Sequence, residues 1–261
     1  MKNWRYLLLI VFVILLLPGC GTINGSRDRL FQVSTINALF EGIYEGSISW
    51  SQLKKYGDLG IGTFEGLDGE MVVLDRRCYQ VKSDGVAYEV GPSIQIPFAA
   101  VTFFEADQTH ILGNSLNYQQ LTRYLDGSLP SKNLFYAIRI EGTFDYIKTR
   151  SVPKQTKPYP ALSEAVKNQK TFEFRNVKGT VVGFYCPAYA KGFNTSGYHF
   201  HFLAEDRKSG GHLLDCQTKS AKVKIDRTPQ FYVVLPENAG FLEVDLTKET
   251  SVQVNKVENQ K

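Results

Sequence analysis

The run Tyr198-His199-Phe200-His201-Phe202 leads through Leu203-Ala204-Glu205-Asp206-Arg207-Lys208-Ser209-Gly210-Gly211 to His212. Histidine alternating with large apolar residues has the period of a β-strand, so His199 and His201 share one face. The charged, glycine-ended segment after it carries turn chemistry. A hairpin centred between Asp206 and Arg207 sets His201 opposite His212, and three imidazoles then converge on one patch of sheet. Three neutral nitrogens with one open position are the ligand set of a catalytic zinc site. The fourth of the chain's four histidines, His110, reads as part of the polar turn Asp107-Gln108-Thr109-His110 and is given no role.

Outward from this run the chain is rich in short strands. Ser34-Thr35 caps a short helix through Ile43, and Ser51 to Tyr56 reads as another. Segments near 62–66, 70–75, 77–82 and 86–90 alternate or run β-branched between Gly-Leu-Asp-Gly and Ser-Asp-Gly turns, and Pro97 to Phe104 adds a strand. Ser115 to Leu125 reads as a helix ended by Asp126-Gly127-Ser128-Leu129-Pro130. Leu134 to Thr149 reads as a bent or bulged strand pair, Pro160 to Lys167 as a short helix, and 171–246 as strands with hairpins. The pattern predicts an α+β fold of mixed, strand-rich sheets with a few short peripheral helices, in two lobes.

The N-terminus reads as targeting rather than fold. Lys2 and Arg5 precede an apolar run, Tyr6 to Leu17. That run is short of the roughly 20 residues a membrane span needs and suits a secretory signal. It ends in Leu16-Leu17-Pro18-Gly19-Cys20, which resembles a bacterial lipobox, although Pro18 departs from the usual occupant. On this reading residues 1–20 are a lipoprotein signal peptide, Cys20 carries the lipid, and residues 21–33 are a polar tether to a domain spanning 34–261. The expected location is extracytoplasmic, lipid-anchored to the cell membrane. An uncleaved signal anchor is the alternative, and it also places the domain outside the membrane.

The formal charge of +4 falls to +2 without Lys2 and Arg5, which gives no footing for nucleic-acid binding. Beyond Cys20 the cysteines are Cys78, Cys186 and Cys216, an odd set with no CxxC spacing. They define no disulfide framework, and a single bridge among them stays undetermined.

Several runs together resemble the α-acetolactate decarboxylase family. They are Ser34-Thr35-Ile36-Asn37-Ala38-Leu39, Gly57-Asp58-Leu59-Gly60 leading to Gly62-Thr63-Phe64, and Leu67-Asp68-Gly69-Glu70-Met71. Arg150-Ser151-Val152-Pro153 through Pro160 comes next, then Gly183-Phe184-Tyr185, Gly197 to Phe202 and Ser209-Gly210-Gly211-His212. The resemblance implies a lyase that converts 2-acetolactate to acetoin and CO2, with zinc stabilising the enediolate. It implies His199, His201 and His212 as zinc ligands, Glu70 and Arg150 as the catalytic pair, and Thr63 in the pocket wall. A glutamate near the C-terminus is expected at the metal, Glu258 being the candidate and Glu243 its competitor. A homodimer is expected as well.

The chemistry suits these residue types. Arg150 presents a permanently charged planar fork for a carboxylate or enolate oxygen. Glu70 can return the proton that decarboxylation requires, a role that asks for a pKa above the usual ~4.3. Two other readings compete. In a cupin-type oxygenase or isomerase, His199-x-His201-x3-Glu205 makes Glu205 a ligand, but His212 arrives too soon for the intervening strands. A non-catalytic zinc-binding lipoprotein leaves Glu70 and Arg150 without purpose. Asn194-Thr195-Ser196 fits a glycosylation acceptor by chance.

Overall fold

The structure, a computed structural model, describes residues 28–247 and Val257. The stretch expected to be a signal peptide, Cys20 and Glu258 lie outside the described residues. In chain order the strands are β1 (Arg29–Val33), β2 (Ile48–Ser49), β3 (Leu59–Thr63), β4 (Glu70–Leu74), β5 (Arg77–Val81), β6 (Ala87–Glu89) and β7 (Gln95–Ile96). They continue with β8 (Phe98–Thr102), β9 (Gln108–Leu112), β10 (Tyr136–Ser151), β11 (Lys170–Cys186), β12 (Gly197–Ala204), β13 (Gly210–Arg227) and β14 (Gln230–Val234). The α-helices are α1 (Ile36–Phe40), α2 (Trp50–Leu53), α3 (Tyr118–Ser128), α4 (Leu162–Ala165) and α5 (Ala239–Glu243).

Two sheets carry the α+β fold. The first has the order β14-β1-β8-β3-β4-β5-β6 and is mixed, because β1 runs parallel to β14 while its other pairings are antiparallel. The second has the order β10-β11-β12-β13-β9, and an extra β10–β13 pairing closes four of its strands into a ring. Ile138, Ile140, Phe144, Phe200, Phe202 and Val223 fill that ring, with Leu121 and Leu125 of α3 in the same cluster.

The central strands of the first sheet are buried on both faces, which is why β4 reads as a near-continuous apolar run. Its Val72 and Leu74, with Leu59 and Ile61 of β3, meet Val182, Phe184 and Leu203 of the second sheet. Met71 and Val73 point the other way, beneath Trp50 and Leu53 of α2. The period of two then leaves Glu70 and Thr63, paired across β3 and β4, facing the second sheet.

Several expectations change in detail. β1 lies inside the stretch read as tether, so the fold starts earlier than position 34. α3 begins and ends three residues later than read. Asn117 accepts from the Gln120 amide to cap it, whereas Leu116 is already tied to the Thr218 hydroxyl. Leu134 to Thr149 holds one long strand, β10, instead of a pair. Gly142 sits in mid-strand, where a Cβ would come within 2.2 Å of the Ser220 carbonyl oxygen. His110 lies on β9 and not in a turn, with its ring edge-on to Tyr124. Cys78, Cys186 and Cys216 are buried free thiols.

Asp226 on β13 is 1 % exposed and accepts a hydrogen bond from the Glu105 amide. Burial, aided by the charges of Asp107, Asp28 and Glu105, pushes its carboxyl up to about 7. Between the ordinary 3.8 and that value the native state binds more protons than the unfolded chain, so this group lowers stability as pH rises. Asp226→Asn should match wild type near pH 4 and exceed it by a few kcal/mol at pH 8, as read by denaturant unfolding at both pH values.

Candidate metal centre

Three strands build the site by register. On β12, Tyr198, Phe200 and Phe202 turn into the ring, so His199 and His201 turn with Leu203 toward the first sheet. His201 pairs with His212 of β13, as the hairpin reading requires, and His212 pairs with Arg150 of β10. This last pairing depends on an irregularity. Lys148 faces Asp215 and Thr149 faces Leu213, so the ladder skips Leu214 and re-aims the residues beyond it. Gly211 adopts φ +131°, and a Cβ there would stand 2.5 Å from the Arg150 carbonyl oxygen. The Gly-Gly before His212 therefore lets β13 press against its neighbours where the site forms.

The three imidazoles are buried, their ring centroids 5.0–5.3 Å apart, and one nitrogen from each lies within 4.8 Å of the others. His201 Nδ1 stands 2.7 Å from the Met71 carbonyl, which can only accept, so Nδ1 carries the proton. That leaves His201 Nε2, buried and without a hydrogen-bond partner, as a lone pair aimed into the cluster. His199 Nε2 and His212 Nδ1 are 3.2 Å apart. Two ligands on a tetrahedral zinc at about 2.05 Å stand about 3.3 Å apart, so the spacing fits a shared ion. Burial, and secondarily the Arg150 charge, lowers the His199 pKa to about 3. Burial and the neighbouring His199 and Arg150 hold His201 well below 6.5. Both rings are thus neutral at pH 7, the form that ligates.

The predicted partners surround this cluster. Glu70, Thr63 and Arg150 are buried and line one cavity with the three histidines. Glu70 Oε2 lies 3.6 Å from His201 Nε2. Thr63 donates its hydroxyl proton to the Gly69 carbonyl at 2.7 Å, which leaves its oxygen as an acceptor. Arg150 Nη1 donates to Gln169 Oε1 at 3.3 Å. The far wall is apolar, formed by Ile36 and Leu39 of α1 with Leu67, Phe98, Val152 and Leu162. What remains between is a small cavity of about 30 Å³.

Other residues fall away from the centre. Glu205 is exposed in the turn after β12 and lines an outer groove, which removes the cupin-type ligand set. Glu243 is exposed at the end of α5 and does not line the cavity. Val257, next to Glu258, is buried against the cluster that supplies the apolar wall. Asn194 is buried and donates to Gln32, so it offers no glycosylation acceptor. Sequence reasoning missed the Met71 carbonyl, the apolar wall and Gln169. A backbone acceptor leaves no trace in residue type, and the wall gathers from five separate segments.

Comparison with known proteins agrees with this geometry. The profile of the family described as Alpha-acetolactate decarboxylase matches residues 30–248. The alpha-acetolactate decarboxylase of Methanosarcina mazei is 49% identical over 90% of this chain and 82% of its own length. That of Brevibacillus brevis is 46% identical over 94% of this chain and 86% of its own. The crystal structure of the Bacillus subtilis alpha-acetolactate decarboxylase superposes with a TM-score of 0.87 at 41% identity, covering 89% of this chain and all of that one. With the site assembled from its own residues and the match running through nearly the whole fold, this chain belongs to the alpha-acetolactate decarboxylase family.

Proposed function

We propose that this chain is a metal-dependent lyase that converts 2-acetolactate to acetoin and CO2. The observation that carries the reading is the shared cavity, in which three buried histidines, a buried arginine and a buried glutamate meet. His199, His201 and His212 hold the ion, and the nitrogen-only triad with its 3.2 Å edge supports zinc. Held there, zinc supplies a Lewis acid for the negative charge that builds on the substrate's hydroxyl and ketone oxygens as CO2 leaves.

The protein's own groups do the rest. Arg150 takes the carboxylate, and the apolar wall takes the methyl groups and excludes water. When the bond to the carboxyl carbon breaks, its electron pair stays with the former C2. The Glu70 carboxyl delivers a proton to that carbon, which balances the reaction. Thr63 borders the same space as an acceptor for a substrate hydroxyl. Glu258, which lies outside the described residues, would add a carboxylate to the metal site, a reading that rests on the family resemblance.

The signal peptide, with a lipid on Cys20, is part of the same proposal and rests on the lipobox-like run before Cys20; it makes the enzyme extracytoplasmic and membrane-anchored. A homodimer belongs to it as well. Among the described residues no strand covers the outer edge of β14, and Tyr232, Val234 and Leu235 beside it are exposed. A zinc-capturing lipoprotein fits less well, because the ligands are deeply buried beside Arg150 and Glu70.

Acetoin release from racemic 2-acetolactate by the full chain tests the activity. A chelator should abolish it and zinc should restore it, while a folded, zinc-loaded protein that releases no acetoin contradicts the reading. His201→Ala should lose the metal together with activity, as read by metal analysis after dialysis. Glu70→Gln should keep its metal yet lose about 10²-fold or more in kcat, the range for a missing general acid. A Glu70→Gln enzyme of normal kcat removes Glu70 from the chemistry.

A further inference from the structure

Arg150 is 3 % exposed, so its guanidinium must be directed by protein groups rather than by bulk water. One of them is Gln169. The Gln169 amide nitrogen is tied to the Val166 carbonyl at 3.0 Å, and the next residue, Lys170, pairs with Ser151 as β11 begins. Gln169 thus sits at a pinned junction, beside the end of the strand that carries Arg150. Its side-chain oxygen accepts from Arg150 Nη1 at 3.3 Å. The partner's chemistry matters here. An amide oxygen orients a guanidinium without adding a charge of its own, whereas a carboxylate in the same place would pair with it and cancel much of its charge.

We propose that Gln169 is a positioning residue for substrate recognition: a neutral acceptor that holds the Arg150 fork toward the cavity so that the charge goes to the substrate's carboxylate. The inference rests on Arg150 being the carboxylate-binding group. It gives a purpose to a polar residue set between a short 3-10 turn and a strand. It also assigns to the loop between β10 and β11 a part in binding beyond its share of the apolar wall.

The test uses two competitive inhibitors on the zinc-loaded full chain. One is anionic, 2-hydroxy-2-methylpropanoate; the other is neutral, 2,3-butanediol. Both offer oxygens to a metal, and only the first offers a carboxylate to Arg150. Gln169→Ala should raise Ki for the hydroxy acid about threefold. Gln169→Glu, which keeps an acceptor but adds a charge, should raise it about tenfold, with KM for 2-acetolactate rising in parallel. Ki for the diol and the bound zinc should stay within about twofold of wild type in both variants.

Equal weakening of the two inhibitors, or loss of zinc, would mark Gln169 as merely structural and overturn the proposal. Unchanged Ki values in the Glu variant would overturn it as well. Arg150→Lys separates the two readings. If it leaves the hydroxy-acid Ki unchanged, the carboxylate role of Arg150 fails. If it weakens the hydroxy acid selectively while the Gln169 variants do not, the role of Gln169 alone fails.

Discussion

Backbone pairing across β12, β13 and β10 sets His201, His212 and Arg150 side by side on one sheet face, and the rest of the site depends on that ladder. Strand spacing fixes lateral distance, and pleat parity fixes direction. A one-residue slip would send His201 into the aromatic interior of the ring and Phe202 into the cavity. The core opposes such a slip, because Phe200 and Phe202 pack against Phe144, Phe174 and Tyr198 on the inner side. Burial of aromatic surface thereby holds metal ligands in place without touching the metal.

The first sheet contributes the complementary half. Met71 gives a carbonyl that fixes the tautomer of His201, while Glu70, one residue earlier on the same strand, presents its carboxyl to the same imidazole. One strand thus orients a ligand through its backbone and supplies an acid through its side chain, as period-two geometry allows. The turn before it, Asp68-Gly69, needs glycine. Gly69 adopts φ +81°, and a Cβ there would lie 2.3 Å from the Val81 carbonyl oxygen. The Asp-Gly-Glu run therefore has a steric reason for its middle residue and a chemical one for its last.

Much of this was legible in residue order. Alternation with aromatics revealed the face shared by His199 and His201, and the charged turn gave the register that brings in His212. Arg150 was a different case. Its approach depends on the skipped Leu214, and bulges leave no periodic signal because they are where periodicity breaks. Glu70 and Thr63 pair across β3 and β4, and only family resemblance singled them out, since a glutamate after a turn is ordinarily a surface group. In β10 the expected bulging is present as register shifts against β13, but the stretch is one strand and not a pair. Gly142 serves close contact with β13.

The most direct test of the central claim is X-ray absorption spectroscopy at the zinc edge of the zinc-loaded full chain. The account predicts three imidazole nitrogens at about 2.0–2.1 Å, a remaining oxygen shell and no sulfur. Loss of one imidazole in His212→Ala should accompany it. A sulfur shell near 2.3 Å, or an all-oxygen environment, would place the metal elsewhere and contradict the ladder as its origin.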